Sequence, residues 1–273
     1  MDAAAPVLEL VVRGPGYPAD FCYSANSTPD HSSVLIEDVE GCPCSSRYGC
    51  RVECPCSCSK TPGALLEYLG PGTDEDTIPA LTECGPACVC PASCRNRICQ
   101  QGLKHRVELC KDKRKGWSAR AAEPIKQGSF VCQYAGELLT SAVAAARLAE
   151  YDAQAADSPG HALMVVREWL PSRNACLRIN VDATRTSNVA HFFSHSCDGG
   201  NLLIVLVRLR GSPIPLLGMF ARRDISAGEE LTFCYGEDSP DSLPMSGKGP
   251  VRTRRPCFCG SRQCTGVLPA SPV

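Results

Sequence analysis

HFFSHSCDGGN, running from His191 to Asn201, decides how the rest of the chain is read. A histidine alone in apolar company is most often a satisfied core residue. Here His195 has Ser196 and Cys197 beside it and Asn188 upstream, and this concentration of polar chemistry next to two phenylalanines marks a functional segment. Outward from it lie short apolar and β-branched runs that read as strands: SFVCQYAGELL (129–139), ALMVV (162–166), ACLRINVDA (175–183), NLLIVLVRL (201–209), LLGMFA (216–221) and EELTFCY (229–235). One stretch, the alanine-rich SAVAAARLAEYDAQAAD (141–157), predicts a helix capped by Thr140 and stopped at Ser158-Pro159-Gly160. Many short strands and one helix predict a compact, mainly β domain.

Beyond the strands the chain is dominated by thiols. Of its 20 cysteines, ten fall between Cys42 and Cys94 and three close the chain at Cys257, Cys259 and Cys264. With 44% apolar residues over 273 positions a core can form without staples, so the cysteines serve another purpose. The opening MDAAAPVLELVVRGPG has acids at Asp2 and Glu9 and no basic start, which is unlike a secretory signal, and no apolar run is long enough to span a bilayer. An intracellular, reducing setting and metal binding are therefore expected, with no membrane association. Thiols one or three residues apart, as in Cys42-Pro-Cys44, Cys54-Pro-Cys56-Ser-Cys58 and Cys84-x3-Cys88-x-Cys90-x3-Cys94, are poorly placed to pair with each other but converge readily on zinc. Ten thiols in so short a span favour shared thiolates. The closing three are one short of a tetrahedral site, so a fourth ligand must come from elsewhere.

A net charge of -1 names no partner. Lys111–Lys115 (KDKRK) and Lys248–Arg255 (KGPVRTRR) are basic loops whose non-specific contact with DNA phosphates is an expectation of charge alone.

Taken with Tyr134-Ala-Gly-Glu137, Lys115-Gly-Trp117, Cys94-Arg-Asn-Arg97 and Glu229-Glu-Leu-Thr-Phe-Cys-Tyr235, the HSC segment resembles the SET-domain histone-lysine N-methyltransferases of the suppressor-of-variegation type. The longest stretch, RINVDATRTSNVAHFFSHSCDGGN with MVVREWLPSRNACL before it, is similar to the plant suppressor-of-variegation-related subgroup and to the SET part of SETMAR. The resemblance implies a SET fold: small curved sheets of short strands with a knot-like crossing and few helices, flanked by pre-SET and post-SET zinc modules. It divides the chain into an N-terminal segment (1–37), a pre-SET module (38–102), the SET domain (103–236), a linker (237–252) and a post-SET module (253–269).

The same resemblance assigns roles. Three zincs fall to Cys42, Cys44, Cys50, Cys56, Cys58, Cys84, Cys88, Cys90 and Cys94, with Cys54 assigned as the spare and Cys50 the alternative. A fourth falls to Cys197, Cys257, Cys259 and Cys264. S-adenosylmethionine is expected against Lys115, Gly116, Trp117, Ser194, His195 and Tyr235. Tyr235 is the expected catalytic tyrosine and Tyr134 a second wall of the lysine channel. Phe233 occupies the position that tunes product, so dimethyl or trimethyl product is expected. The substrate implied is a lysine of a histone tail, as peptide or nucleosome, in nuclear chromatin. Ser118, Ser194 and Cys234 stand where the family usually has glycine, asparagine and aspartate, and they motivate an alternative: a catalytically weak scaffold that binds histone tails or chromatin proteins.

Overall fold

The computed structural model describes residues 10–12, 21–29, 41–42, 65, 69, 78–154, 160–170, 174–212, 214–236 and 255–269. Among them no helix is long and apolar enough to cross a membrane. The chain divides into two compact units, each assembled from distant stretches: residues 1–17, 34–133 and 201–231 form the first, and 18–33, 134–200 and 232–273 the second.

The first unit carries two sheets. In one, Val107–Asp112 lies between Leu10–Val12, parallel to it, and Gly116–Ala121, antiparallel. In the other, the order is Leu81–Glu83, Leu202–Leu209, Leu216–Ala221, Phe130–Gln133, with only the first pair parallel. The near-continuous apolar run Leu202–Leu209 takes an inner position there, with Leu203, Val205 and Val207 on a buried face and Ile204, Leu206 and Arg208 half-buried on the other. Leu203, Val205 and Val207 point into a core with Leu65, Leu81, Cys99, Phe130 and Phe220, and the two phenylalanine rings meet edge to face at 5.4 Å.

In the second unit the sheet order is Thr28–Pro29, Glu137–Leu139, Ala175–Asp182, Leu163–Leu170. The helix Ser141–Ala153 packs on this sheet through Ala144, with Val143 and Tyr151 partly buried beside it, and Thr140 caps it by accepting the Val143 N–H at 3.3 Å. Two short parallel pairs complete the unit: Cys22–Tyr23 with Thr186–Ser187, and Ser194–His195 with Thr232–Phe233.

Two predicted strands are each split. SFVCQYAGELL becomes Phe130–Gln133 in the first unit and Glu137–Leu139 in the second. The break at Gly136 is a close backbone approach, since a Cβ there would lie 2.5 Å from the Asp182 carbonyl oxygen. EELTFCY keeps only Thr232–Phe233 as strand, while Glu230 bridges to Arg120 in the first unit.

One ion cluster ties the helix to its sheet. Arg147 donates to Glu137 at 2.6 and 3.1 Å and to Asp182 at 2.8 Å, and Tyr151 Oη donates to the same Asp182 oxygen at 2.7 Å. Burial works against ionisation of Asp182, but the bonds from Thr184, Arg147 and Tyr151 outweigh it and hold the carboxyl below its usual range. A depressed folded-state pKa contributes stability that is fully present above the unfolded value of about 3.9 and is lost as pH falls through the folded value. Arg147→Met strands the buried carboxylate, so it should cost about 3 kcal/mol in urea unfolding at neutral pH and raise the pH of acid unfolding. Unchanged midpoints in both titrations would show that the cluster is not stabilising.

Candidate active site and cysteine clusters

In the second unit the parallel pair of Ser194–His195 with Thr232–Phe233 builds the centre of the site. Ser196 N–H continues the pairing to the Phe233 carbonyl at 3.0 Å. Just beyond the pair, Tyr235 is fixed at both ends: its N–H donates to His195 Nδ1 at 3.2 Å and its hydroxyl donates to the Phe193 carbonyl at 2.6 Å. Its ring is 41% exposed, whereas Phe233 is buried 4.8 Å from it, centroid to centroid. Tyr134 is also buried, edge-on to Phe233 at 6.2 Å, with its hydroxyl on the Ala162 carbonyl at 2.8 Å. Burial pushes its phenol well above the ordinary tyrosine range, so it stays neutral. Phe233 thus lies beside both tyrosines, and of the two phenols Tyr235 is the exposed one. His195 is buried, and desolvation, partly opposed by Asp198, keeps its pKa below the usual value.

The sulfurs of Cys197, Cys257, Cys259 and Cys264 all lie within 4.8 Å of one another. Those of Cys197 and Cys257 are 3.7 Å apart, far beyond a disulfide bond and close to the edge of about 3.8 Å that Zn–S bonds of about 2.3 Å impose on a tetrahedron. At Cys259, burial opposes ionisation, but backbone hydrogen bonds from Cys197 and Ser261 prevail and bring the thiol down to about 7. The donor set and spacing fit zinc.

In the first unit, Cys42, Cys84 and Cys88 converge within the same limit, and so do Cys84, Cys90 and Cys94. Cys84 belongs to both groups, which is the arrangement a bridging thiolate requires. The CRNR motif serves this cluster: Arg97 Nε donates to Cys90 Sγ at 3.4 Å and Nη2 to the Gly85 carbonyl at 2.9 Å, while Asn96 Nδ2 lies 3.6 Å from Cys84 Sγ. Cys44, Cys50, Cys56 and Cys58, with the spare Cys54, lie outside the described residues. Cys99 and Cys132 are buried thiols raised by desolvation, and Cys22 and Cys176 are exposed.

The expected cofactor loop is also in the first unit. Asp112 accepts from the N–H groups of Arg114 and Lys115, and Gly116 turns at a φ of +80, which explains the glycine. Lys115 Nζ is committed to Glu230 at 2.6 and 2.7 Å. Lys111 stands 5.7 Å from the centre of the Trp117 ring. Ser118 sits buried in the strand Gly116–Ala121 and is not among the positive-φ residues, so the backbone there needs no glycine. The pairing of Lys115 with Glu230 was not read from the sequence, nor was the engagement of both His195 nitrogens. The only signal for the first was a pair of adjacent acids in the strand motif.

The SET domain family model matches residues 116–236 and the Pre-SET motif model matches residues 5–97. The chain belongs to the SET-domain histone-lysine N-methyltransferases. It is 42% identical over 250 residues to the histone-lysine N-methyltransferase SUVR3 of Arabidopsis thaliana, covering 91% of this chain and 64% of that protein. To the histone-lysine N-methyltransferase SETMAR of Rattus norvegicus it is 32% identical over 255 residues, covering 89% and 78%. The crystal structure of the methyltransferase domain of human SETMAR superimposes with a TM-score of 0.72 at 29% identity, over 99% of this chain and 98% of that one. A crystal structure of KRYPTONITE in complex with mCHH DNA, an H3(1-15) peptide and SAH matches with a TM-score of 0.65 at 25% identity, over 91% of this chain and 48% of that one. The mainly β SET fold expected from the sequence, and cysteine clusters of the kind that pre-SET and post-SET zinc modules need, are both present.

Sharing of Cys84 has a stoichiometric consequence. Cys264→Ser should lower the zinc content of the purified protein, measured by plasma mass spectrometry, by about one equivalent, and Cys84→Ser by more than one. Equal losses, or none, would contradict the shared-thiolate arrangement.

Proposed function

We propose that this chain transfers methyl groups from S-adenosylmethionine to a lysine of a histone tail, acting on nuclear chromatin. The observation that carries this reading is Tyr235: a phenol anchored at backbone and hydroxyl, the exposed member of an aromatic group with Tyr134 and Phe233. The KRYPTONITE complex, with its H3(1-15) peptide and SAH, supports both partner classes by relationship.

When bound, S-adenosylmethionine supplies an electrophilic methyl on a sulfonium that departs as a neutral thioether. This chain's residues prepare the amine. An ammonium cannot attack, and the apolar surroundings of Phe233 and Tyr134 disfavour charge, so the lysine sheds its proton to solvent before reaction. Because the Tyr235 hydroxyl donates its proton to the Phe193 carbonyl, its oxygen lone pairs are left to accept an N–H of the amine and aim the nitrogen lone pair. Orientation of this kind supplies the bulk of the rate. By the family resemblance, Lys115, Gly116 and Trp117 in the first unit, and Ser194, His195 and Tyr235 in the second, are cofactor-contacting residues, His195 without its ring nitrogens, since both are engaged within the protein. Cys197, Cys257, Cys259 and Cys264 would hold one zinc that fastens the tail, and Cys84 with the other pre-SET thiolates would hold three more. The boundaries 38–102, 103–236 and 253–269 delimit the three modules. Lys111 and its basic neighbours make non-specific contact with nucleosomal DNA.

Radiolabelled transfer to core histones and nucleosomes tests the reading: wild type should label histone, and Tyr235→Phe should label it roughly 10²-fold more slowly. Equal rates would remove Tyr235 from catalysis. The product is the second test. Phe233 brings no hydroxyl to hold a water where the growing methylammonium must sit, so mass spectra should show dimethyl or trimethyl lysine, and Phe233→Tyr should shift the product toward monomethyl. Monomethyl product from both proteins would refute the role of Phe233.

A further inference from the structure

Both ring nitrogens of His195 are engaged by the protein. Nδ1 lies 3.2 Å from the Tyr235 amide nitrogen, and Nε2 lies 3.2 Å from Cys197 Sγ. A backbone amide only donates, so Nδ1 must be the unprotonated acceptor, and the single proton of the neutral ring sits on Nε2, directed at sulfur. A metal-held thiolate only accepts. The bonds therefore run one way, from the Tyr235 N–H through the imidazole to the Cys197 sulfur, and that sulfur belongs to the four-cysteine group formed with Cys257, Cys259 and Cys264. The backbone pairing of the two short strands reaches Ser196 and the Phe233 carbonyl. Beyond that bond the imidazole takes over, holding the Tyr235 main chain two residues further along. Its ring is stacked obliquely against the Tyr235 ring at 5.3 Å and is 6% exposed. With both nitrogens used, the side chain has no donor or acceptor left for a cofactor.

We infer that His195 is a positioning residue that couples the four-cysteine site to Tyr235, its ring orientation set by the Cys197 sulfur and the Tyr235 main chain set by the ring. This rests on the reading of Tyr235 as the catalytic tyrosine. Fastening the tail is then only part of what the metal does, because its loss also releases the imidazole that holds the tyrosine. The tie has the form in which a metal ligand's outer hydrogen bond usually works, with the direction of control reversed toward the active site.

The test uses the full chain labelled with ¹⁵N-tyrosine, whose seven tyrosines give few amide signals, the Tyr235 signal being the one missing in Tyr235→Phe. Cys259→Ser removes a tail ligand without touching His195. In otherwise wild-type protein it should move or broaden the Tyr235 amide while the Tyr151 amide, in the helix, stays in place and shows that the fold persists. In a His195→Ala background the Tyr235 amide should already be displaced and should no longer respond to Cys259→Ser. His195→Asn, which can accept from the Tyr235 N–H but is too short to reach Cys197, should restore the Tyr235 signal toward wild type yet leave it insensitive to zinc. Kinetically, His195→Ala should lower kcat about 10- to 100-fold with less than about threefold change in KM for S-adenosylmethionine. A Tyr235 amide indifferent to Cys259→Ser, or a raised KM with kcat unchanged in His195→Ala, would overturn the coupling. Failure of the catalytic reading looks different: Tyr235→Phe would then transfer methyl as fast as wild type, whatever the amide does.

Discussion

Convergence of thiolates is the constraint from which the rest of this molecule follows. Cys197 lies in the segment that builds the active site, and Cys257, Cys259 and Cys264 lie in a tail some sixty residues later, yet the four sulfurs come within 4.8 Å of one another. Four sulfurs so close are either protonated and crowded or held by a metal, and only the second gives the tail a fixed path. Among the described residues the tail also carries a bridge between Pro256 and Val267 and backbone bonds such as Cys257 N–H to the Gly266 carbonyl and Leu268 N–H to the Arg255 carbonyl. Among the described residues of the pre-SET cluster, Cys84 belongs to both groups of converging thiols, so one sulfur is placed to serve two sites.

The site depends on this constraint through short range. Ser194–His195 and Thr232–Phe233 are only two residues long each, too little for backbone pairing alone to fix the Tyr235 phenol. Tyr235 is held instead by two bonds outside the ladder, one to an imidazole and one to the Phe193 carbonyl. Both partners come from the segment that contributes Cys197, so the four-sulfur group, the Ser194–His195 strand and Tyr235 are parts of one local structure. Its aromatic surroundings are apolar where the amine must lose charge and polar only at the phenol oxygen, which matches the electrostatic demand of attack by a neutral amine.

Much of this was legible in the sequence because the signals were local. The helix with its Thr140 cap, the buried run Leu202–Leu209 and the thiol spacing of Cys84, Cys88, Cys90 and Cys94 are set by residues within one or two turns of each other. What escaped is long-range. SFVCQYAGELL and EELTFCY each read as one strand, since apolar periodicity says nothing about which neighbour supplies the hydrogen bonds, and each instead splits between the two units. Arg147 has no local sequence signal that sets it apart in an alanine-rich helix, although its partners Glu137 and Asp182 make it the tie between helix and sheet. Lys115 was read as a cofactor contact from its motif, while its ion pair with Glu230 depends on a residue 115 positions later. Ser118 shows the reverse case: a departure from the family motif that raised doubt proves to lie in strand backbone with no need for a positive φ.

X-ray absorption at the zinc edge of the purified protein tests the central claim most directly. Sulfur alone in the first shell, at about 2.3 Å, together with a metal–metal scattering path from the cluster that shares Cys84, is the result that thiolate convergence requires. A first shell of nitrogen and oxygen, or a folded and zinc-free protein whose cysteines are paired as disulfides, would contradict it.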